Sequence, residues 1–170
     1  MAAGGQAVRN PLSIVHVVRS PVGGVFRHIS DLARAQTAAG HSVGLICDST
    51  TGGALEAERL AALAPHLPLG TIRLPMRRTI GPGDLPAIVA VSRQVRRMGA
   101  DVIHSHGAKG GVFGRLAGAT LRRRGRPVAV FYAPHGGSLH FDKASAAGRV
   151  YFAVERGLER LTDGLIHVSA

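Results

Sequence analysis

AspValIleHisSerHisGlyAlaLysGlyGlyValPheGlyArgLeuAla, residues 101–117, passes from a β-branched run through a polar, glycine-rich turn into a helical pattern. The first part reads as a strand over Asp101 to Ser105. Val112, Phe113, Leu116, Ala117 and Thr120 then recur at helical spacing, which predicts a helix over Lys109 to Arg123 with that stripe inward. A strand leading straight into a helix is the first half of a βαβ unit, and Val128 to Ala133 supplies the second strand.

The same grammar holds in both directions. Upstream, Leu12 to Val18 reads as a strand buried on both faces. It leads into a helix over Val25 to Ala39, with Val25, Phe26, Ile29, Leu32, Ala33 and Gln36 on one face and Gly40 as its stop. Ser42 to Cys47 is a second strand, Ala54 to Ala64 a short helix facing inward through Leu55, Leu60 and Leu63, and Leu69 to Leu74 a third strand. Asp84 is read as the cap of a helix whose apolar face is Leu85, Ile88, Val89, Ser92 and Val95. Downstream, a helix from Ala146 to Leu161 packs Val150, Tyr151, Val154, Leu158 and Leu161, and Leu165 to Val168 is a sixth strand. Strand and helix alternate throughout, so the expected fold is α/β: a Rossmann-like, doubly wound parallel sheet with helices on both faces.

Three strand-to-helix turns are rich in glycine and polar residues: SerProValGlyGly at 20–24, HisSerHisGlyAlaLysGlyGly at 104–111 and AlaProHisGlyGly at 133–137. In a parallel sheet all of them fall on one edge and converge on one cleft. Gly23 and Gly24 stand where a helix N-terminus would favour an anion, and they also satisfy the geometry of a tight turn; neither GxGxxG nor a P-loop is present. His104 and His106 alternate along the fourth strand and face one way, His106 nearer the cleft, with His104 read as a core histidine bonded to the backbone. Lys109 could meet an anion or simply be solvated in the first helical turn. His135, between Pro134 and Gly136, is the strongest single candidate, because the loop fixes where its imidazole points. A metal centre is not expected: no acid follows the histidines at ligand spacing and no further Cys or His motif completes a set. No cofactor is implied either.

At 170 residues and 45% hydrophobic content the chain suits one soluble domain, 12–170, behind a flexible segment at 1–11. No apolar run spans a membrane or makes a secretory leader, which places the expected protein in the cytoplasm. Cys47, alone and within an apolar run, reads as a buried thiol. The net charge of +11 is confined to one stretch: from Arg59 to Arg126 thirteen Lys and Arg meet only Asp84 and Asp101, whereas elsewhere bases and acids balance. Such an excess points to an anionic surface or ligand, although GC-rich coding would also favour arginine. Nucleic acid is disfavoured by 4% aromatic content, no Trp and no recognition motif.

The order of strand, GlyGly, helix, then residues 101–117, then AlaProHisGlyGly, then Glu155-Arg156 before ThrAspGlyLeuIleHisValSer at 162–169 resembles the N-terminal half of family 4 retaining glycosyltransferases of GT-B architecture. It is nearest the branch that builds exopolysaccharide, capsule or lipid-linked oligosaccharide. That resemblance implies that Gly23 and Gly24 close over the diphosphate of a nucleotide-sugar donor and that His135 reaches the transferred sugar. It places His106, Lys109 and Gly136 along the acceptor side of the cleft and makes Glu155 and Arg156 a structural pair. Glu155 and Asp163 have the spacing of the family's donor-domain motif but lie in the wrong half, so the match is read as accidental. The implied acceptor is a saccharide, polyprenyl-linked, with Arg77, Arg78, Arg93, Arg96 and Arg97 holding the protein peripherally on the anionic inner membrane face. The donor-binding C-terminal domain of such enzymes is not in these residues, so they are expected to be inactive alone.

Overall fold

The computed structural model describes residues 10–78, 81–135, 142 and 145–168. Its elements follow one another as β1 (Ser13–Val18), α1 (Gly23–Ala38), β2 (Ser42–Asp48), α2 (Ala54–Leu63), β3 (Gly70–Leu74), α3 (Asp84–Arg97), β4 (Val102–His106), α4 (Gly107–Arg123), β5 (Ala129–Ala133), α5 (Ala146–Glu159) and β6 (Gly164–Leu165). All strand pairs are parallel, in the order β3-β2-β1-β4-β5-β6. The order reverses between β1 and β4, and there the helices following the two strands leave toward opposite faces, opening a crevice at the strands' C-terminal ends.

Each face of the sheet has its own core. Val18, Val43, Leu45 and Cys47 pack beneath Phe26, Ile29 and Ala33 of α1 and Leu60 and Leu63 of α2. Val15, Val17, Ile46, Ile103 and Val130 pack beneath Ala87, Val91 and Val95 of α3 and Phe113, Ala117 and Leu121 of α4. Cys47 is buried, and burial pushes its thiol up to about 11. Asp48 ends β2 fully buried, and although burial opposes its charge, N–H groups of Met76 and Thr50 at 2.7 and 3.0 Å hold the carboxyl below its usual range.

Several expected faces turn out differently. Leu85 and Val89 are 72% and 55% exposed, because α3 rests on a narrower stripe of Ala87, Val91 and Val95 spaced four apart. Leu55 and Val154 are exposed as well. Gly83, not Asp84, is the N-cap of α3; Asp84 opens the helix and takes the Gly81 N–H on Oδ2 at 3.1 Å. β6 is only two residues long, although Ile166 still donates to the Tyr132 carbonyl at 2.9 Å.

α4 meets the sheet through glycine. A Cβ placed on Gly118 would overlap Val130 Cγ2, one on Gly111 would overlap the Tyr132 ring, and one on Gly114 would lie 2.7 Å from Ser105 Cβ. Helix backbone therefore lies directly on strand side chains. Beside this seam Arg115 is wholly buried, forked onto Glu155 by two bonds of 2.9 Å and stacked 4.0 Å over Tyr132. No helix among the described residues is long and apolar enough to cross a membrane.

Candidate functional site: a histidine-lined cleft

Register sets the site. Val18, His106 and Ala133 are partners across β1, β4 and β5, so the turns that follow these strands leave the same edge side by side. Gly23 opens α1 with φ +60, a conformation that glycine adopts without strain, and nothing lies within 4 Å of a Cβ position on Gly23 or Gly24. No side chain caps α1 and no acid stands in its first turn; the same is true of α4, whose N-cap is His106. Two uncapped helix N-termini thus open at one edge, each favouring negative charge through its dipole and spare amides.

The floor between them is built of imidazoles. His16 is the register partner of His104, and two residues further along β4 His106 lies on the same face, its ring centroid 4.1 Å from that of His104. His28 comes over from α1, 5.9 Å from His106 and 5.3 Å from His135 between centroids. A chain of hydrogen bonds links Gln36 Oε1 to His16 Nε2 at 2.9 Å, His16 Nδ1 to His106 Nε2 at 2.9 Å, and His106 Nδ1 to His135 Nε2 at 3.0 Å.

One anchor sets the tautomer of each ring in that chain. The Gln36 carbonyl oxygen can only accept, so His16 carries its proton on Nε2 and offers a lone pair at Nδ1. His106 then donates from Nε2 and accepts at Nδ1, and His135 donates from Nε2. The lone pair left at the end of the chain is His135 Nδ1. Burial keeps these rings neutral: it lowers His16 to about 4 and His104 to about 3, and it drives His106 and, less strongly, His135 downward too, with neighbouring histidines adding to the effect. His135 also has φ +52, alone among described non-glycine residues in the left-handed region, so the turn holds this side chain in place at some cost in backbone strain.

The expected site residues fall into three groups. Gly23, Gly24, His106 and His135 come together on one edge. Lys109 is committed elsewhere: its ammonium pairs with Asp84 at 2.7 Å and donates to the Arg77 carbonyl, fastening α4 to α3 and the loop before it. Gly136 lies outside the described residues. His104 is a core histidine as expected, 4% exposed, with its Nε2 buried and without a hydrogen-bond partner. Glu155 has the structural role expected of it, through Arg115, while Arg156 is exposed. Asp163 caps Val130 N–H at 2.7 Å and pairs with Arg122.

The arginines divide. Arg93, Arg96 and Arg97 join Arg124 and Arg126 around a groove of about 730 Å³ with Ile88 and Val89 in its wall. Arg77 and Arg78 are exposed in the segment before α3 and do not line that groove. Sequence reasoning missed His16, His28 and Gln36. The available signal was parity: His16 and Val18 alternate on β1 as His104 and His106 do on β4.

A family model described as a glycosyl transferase 4-like domain matches residues 23–170. The Bacillus subtilis (strain 168) protein named "Putative glycosyltransferase EpsD" is 36% identical over 102 residues, covering 56% of this chain and 25% of that protein. Among solved structures, MurG of Acinetobacter baumannii superposes with a TM-score of 0.63 at 16% identity, over 94% of this chain and 42% of MurG. Sucrose-phosphate synthase from Thermosynechococcus elongatus gives 0.57 at 19% identity, over 92% and 42%. The chain therefore spans about a quarter of the curated relative and under half of either structure.

Proposed function

The chain belongs to the glycosyl transferase 4-like domain family, with the Rossmann-like fold of the N-terminal half of a GT-B enzyme, and from that premise we propose that it forms the acceptor-side wall of a cleft where sugar passes from a nucleotide-sugar to a saccharide. The carrying observation is the neutral His106–His135 pair beside the open, uncapped N-terminus of α1.

Negative charge grows on the departing diphosphate during transfer. Amides at Gly23 and Gly24, already oriented by α1, stabilise that charge more in the transition state than in the ground state. His135, fixed through His106 and His16, presents Nδ1 as an acceptor to a sugar hydroxyl and orients the sugar; it is not a nucleophile. His106 acts as its positioning residue. Of the described acids near this edge, Asp48 is bound by Thr50 and Met76 and Asp84 by Lys109. That supports a front-face reaction with retained configuration, the leaving phosphate taking the acceptor's proton, over a double displacement through paired carboxylates. Lys109 in this scheme shapes the acceptor side indirectly, by holding α3 against α4.

The acceptor we propose is polyprenyl-linked, in cell-envelope polysaccharide synthesis, with the protein peripheral on the cytoplasmic membrane face. Support comes from α3: exposed Leu85 and Val89 continue into exposed Arg93, Arg96 and Arg97, the apolar-then-basic surface of a helix lying on anionic lipid. Residues 1–170 alone are expected to turn over no donor, because the other wall of the cleft belongs to a donor-binding half. Joined to such a half, they are expected to release nucleoside diphosphate from a nucleotide-sugar, with the product's anomeric configuration unchanged by NMR. His135→Ala should lower kcat by about 10²-fold or more, the scale of losing one oriented polar contact. Unchanged turnover in that variant, with the fold intact, would refute the assignment.

A further inference from the structure

We infer that the cleft floor is a binding site for a divalent transition-metal ion, zinc foremost, held by His28, His106 and His135. One ring nitrogen from each lies within 4.8 Å of the others, and the three side chains come from α1, the end of β4 and the turn after β5. Tetrahedral zinc with bonds of about 2.0–2.1 Å needs nitrogens about 3.3 Å apart, a contraction that small ring rotations supply. His106 Nδ1 and His135 Nε2 already stand 3.0 Å apart.

A second observation points the same way. His28 Nε2 is buried without a hydrogen-bond partner, and so is Nε2 of His104, a residue 4% exposed that lies directly beneath His106. Buried imidazole nitrogens left unsatisfied are costly, and a cation is a partner that converging lone pairs can share. The deeper triad of His16, His104 and His106 also has its nitrogens within 4.8 Å, but all three are buried, whereas His28 and His135 are half-buried and reachable from the cleft.

The outer shell is in place. Gln36 Oε1 and His16 Nδ1 fix the proton of His106 on Nε2, which leaves Nδ1 as the electron-pair donor facing His135. Metal-binding histidines are held in this way, by a hydrogen bond from the nitrogen that does not bind metal. On binding, the His106–His135 hydrogen bond breaks and two nitrogen–metal bonds replace it. His135 moves its proton from Nε2 to Nδ1 through solvent, so no net proton is released. A third bond forms to His28, and the fourth position faces the cleft, where water or a sugar hydroxyl can fill it. Nitrogen donors without carboxylates select zinc, nickel or copper over magnesium or calcium.

The inference shares His106 and His135 with the proposed transfer site, where a bound ion leaves His135 Nδ1–H to donate to a sugar oxygen in place of the free lone pair, but the metal alone tests it. Isothermal titration of the EDTA-stripped chain with zinc chloride should give one ion per chain, with magnesium chloride giving no heat. His28→Ala and His135→Ala, each with an unchanged far-UV CD spectrum, should weaken zinc at least tenfold, and Gln36→Leu should weaken it by about 10-fold or more through the outer shell. Absence of zinc binding, or equal affinity in the wild type and both histidine variants, would overturn the site.

Discussion

Mild acidification should destabilise this protein through its buried histidines. His16 and His104 are 0% and 4% exposed, and burial lowers them from an ordinary 6.5 to about 4 and about 3. Both bind protons less well folded than unfolded, so their contribution is complete above neutral pH. It falls as pH drops through 6.5 and goes on falling until the folded values are passed. Between pH 7.5 and pH 5.5 each costs about 1.3 kcal/mol, so the pair removes about 3 kcal/mol of unfolding free energy. His106 adds to the loss in the same direction. With a urea slope of about 1–3 kcal/mol/M the midpoint should move down by more than about 1 M. The assay is urea denaturation followed by far-UV CD at the two pH values, in EDTA. His16→Gln with His104→Gln should flatten the dependence even if it lowers stability at both. Coincident wild-type midpoints at pH 7.5 and 5.5 would show that these rings are not held neutral, and the tautomer chain built on them would fall.

Three further outcomes follow from packing and charge. Glu155→Gln leaves the buried Arg115 guanidinium without its counter-charge and should cost about 3–5 kcal/mol in a denaturant melt, while Arg115→Met with Glu155→Leu recovers most of it. Gly118→Ala gains about 1 kcal/mol of helix propensity but forces Val130 aside, so a net loss of about 1–3 kcal/mol is expected, read as a lower Tm. Replacing Arg93, Arg96 and Arg97 by Gln should abolish co-sedimentation with anionic vesicles; wild-type binding to neutral vesicles that equals binding to anionic ones would count against the lipid-facing helix.

The alternation of strands and helices was legible because buried parallel strands are continuous apolar runs and the turns between them carry glycine. Which side of α3 faces inward was not. Leu85, Ala87, Ile88, Val89, Val91 and Val95 offer two competing stripes, and tertiary packing chose the smaller residues. Arg115 was invisible for a different reason: arginine is ordinarily solvated, and its acid lies forty residues away on another helix. The cleft could be placed from three turns, but its histidine floor depended on the strand order, which brings His16 beside His104. Counting ligands along the sequence argued against a metal; the site proposed above draws on His28, from a helix that sequence spacing does not connect to β4.

The two uncapped helix starts at the switch point favour anions through backbone dipoles, whereas the groove between α3 and α4 offers side-chain guanidinium groups. Added salt screens exposed side-chain charge strongly, and it screens short amide contacts inside a cleft far less. Ionic strength therefore works as a selector for this domain: at high salt it should leave a lipid surface yet still hold a phosphate ester.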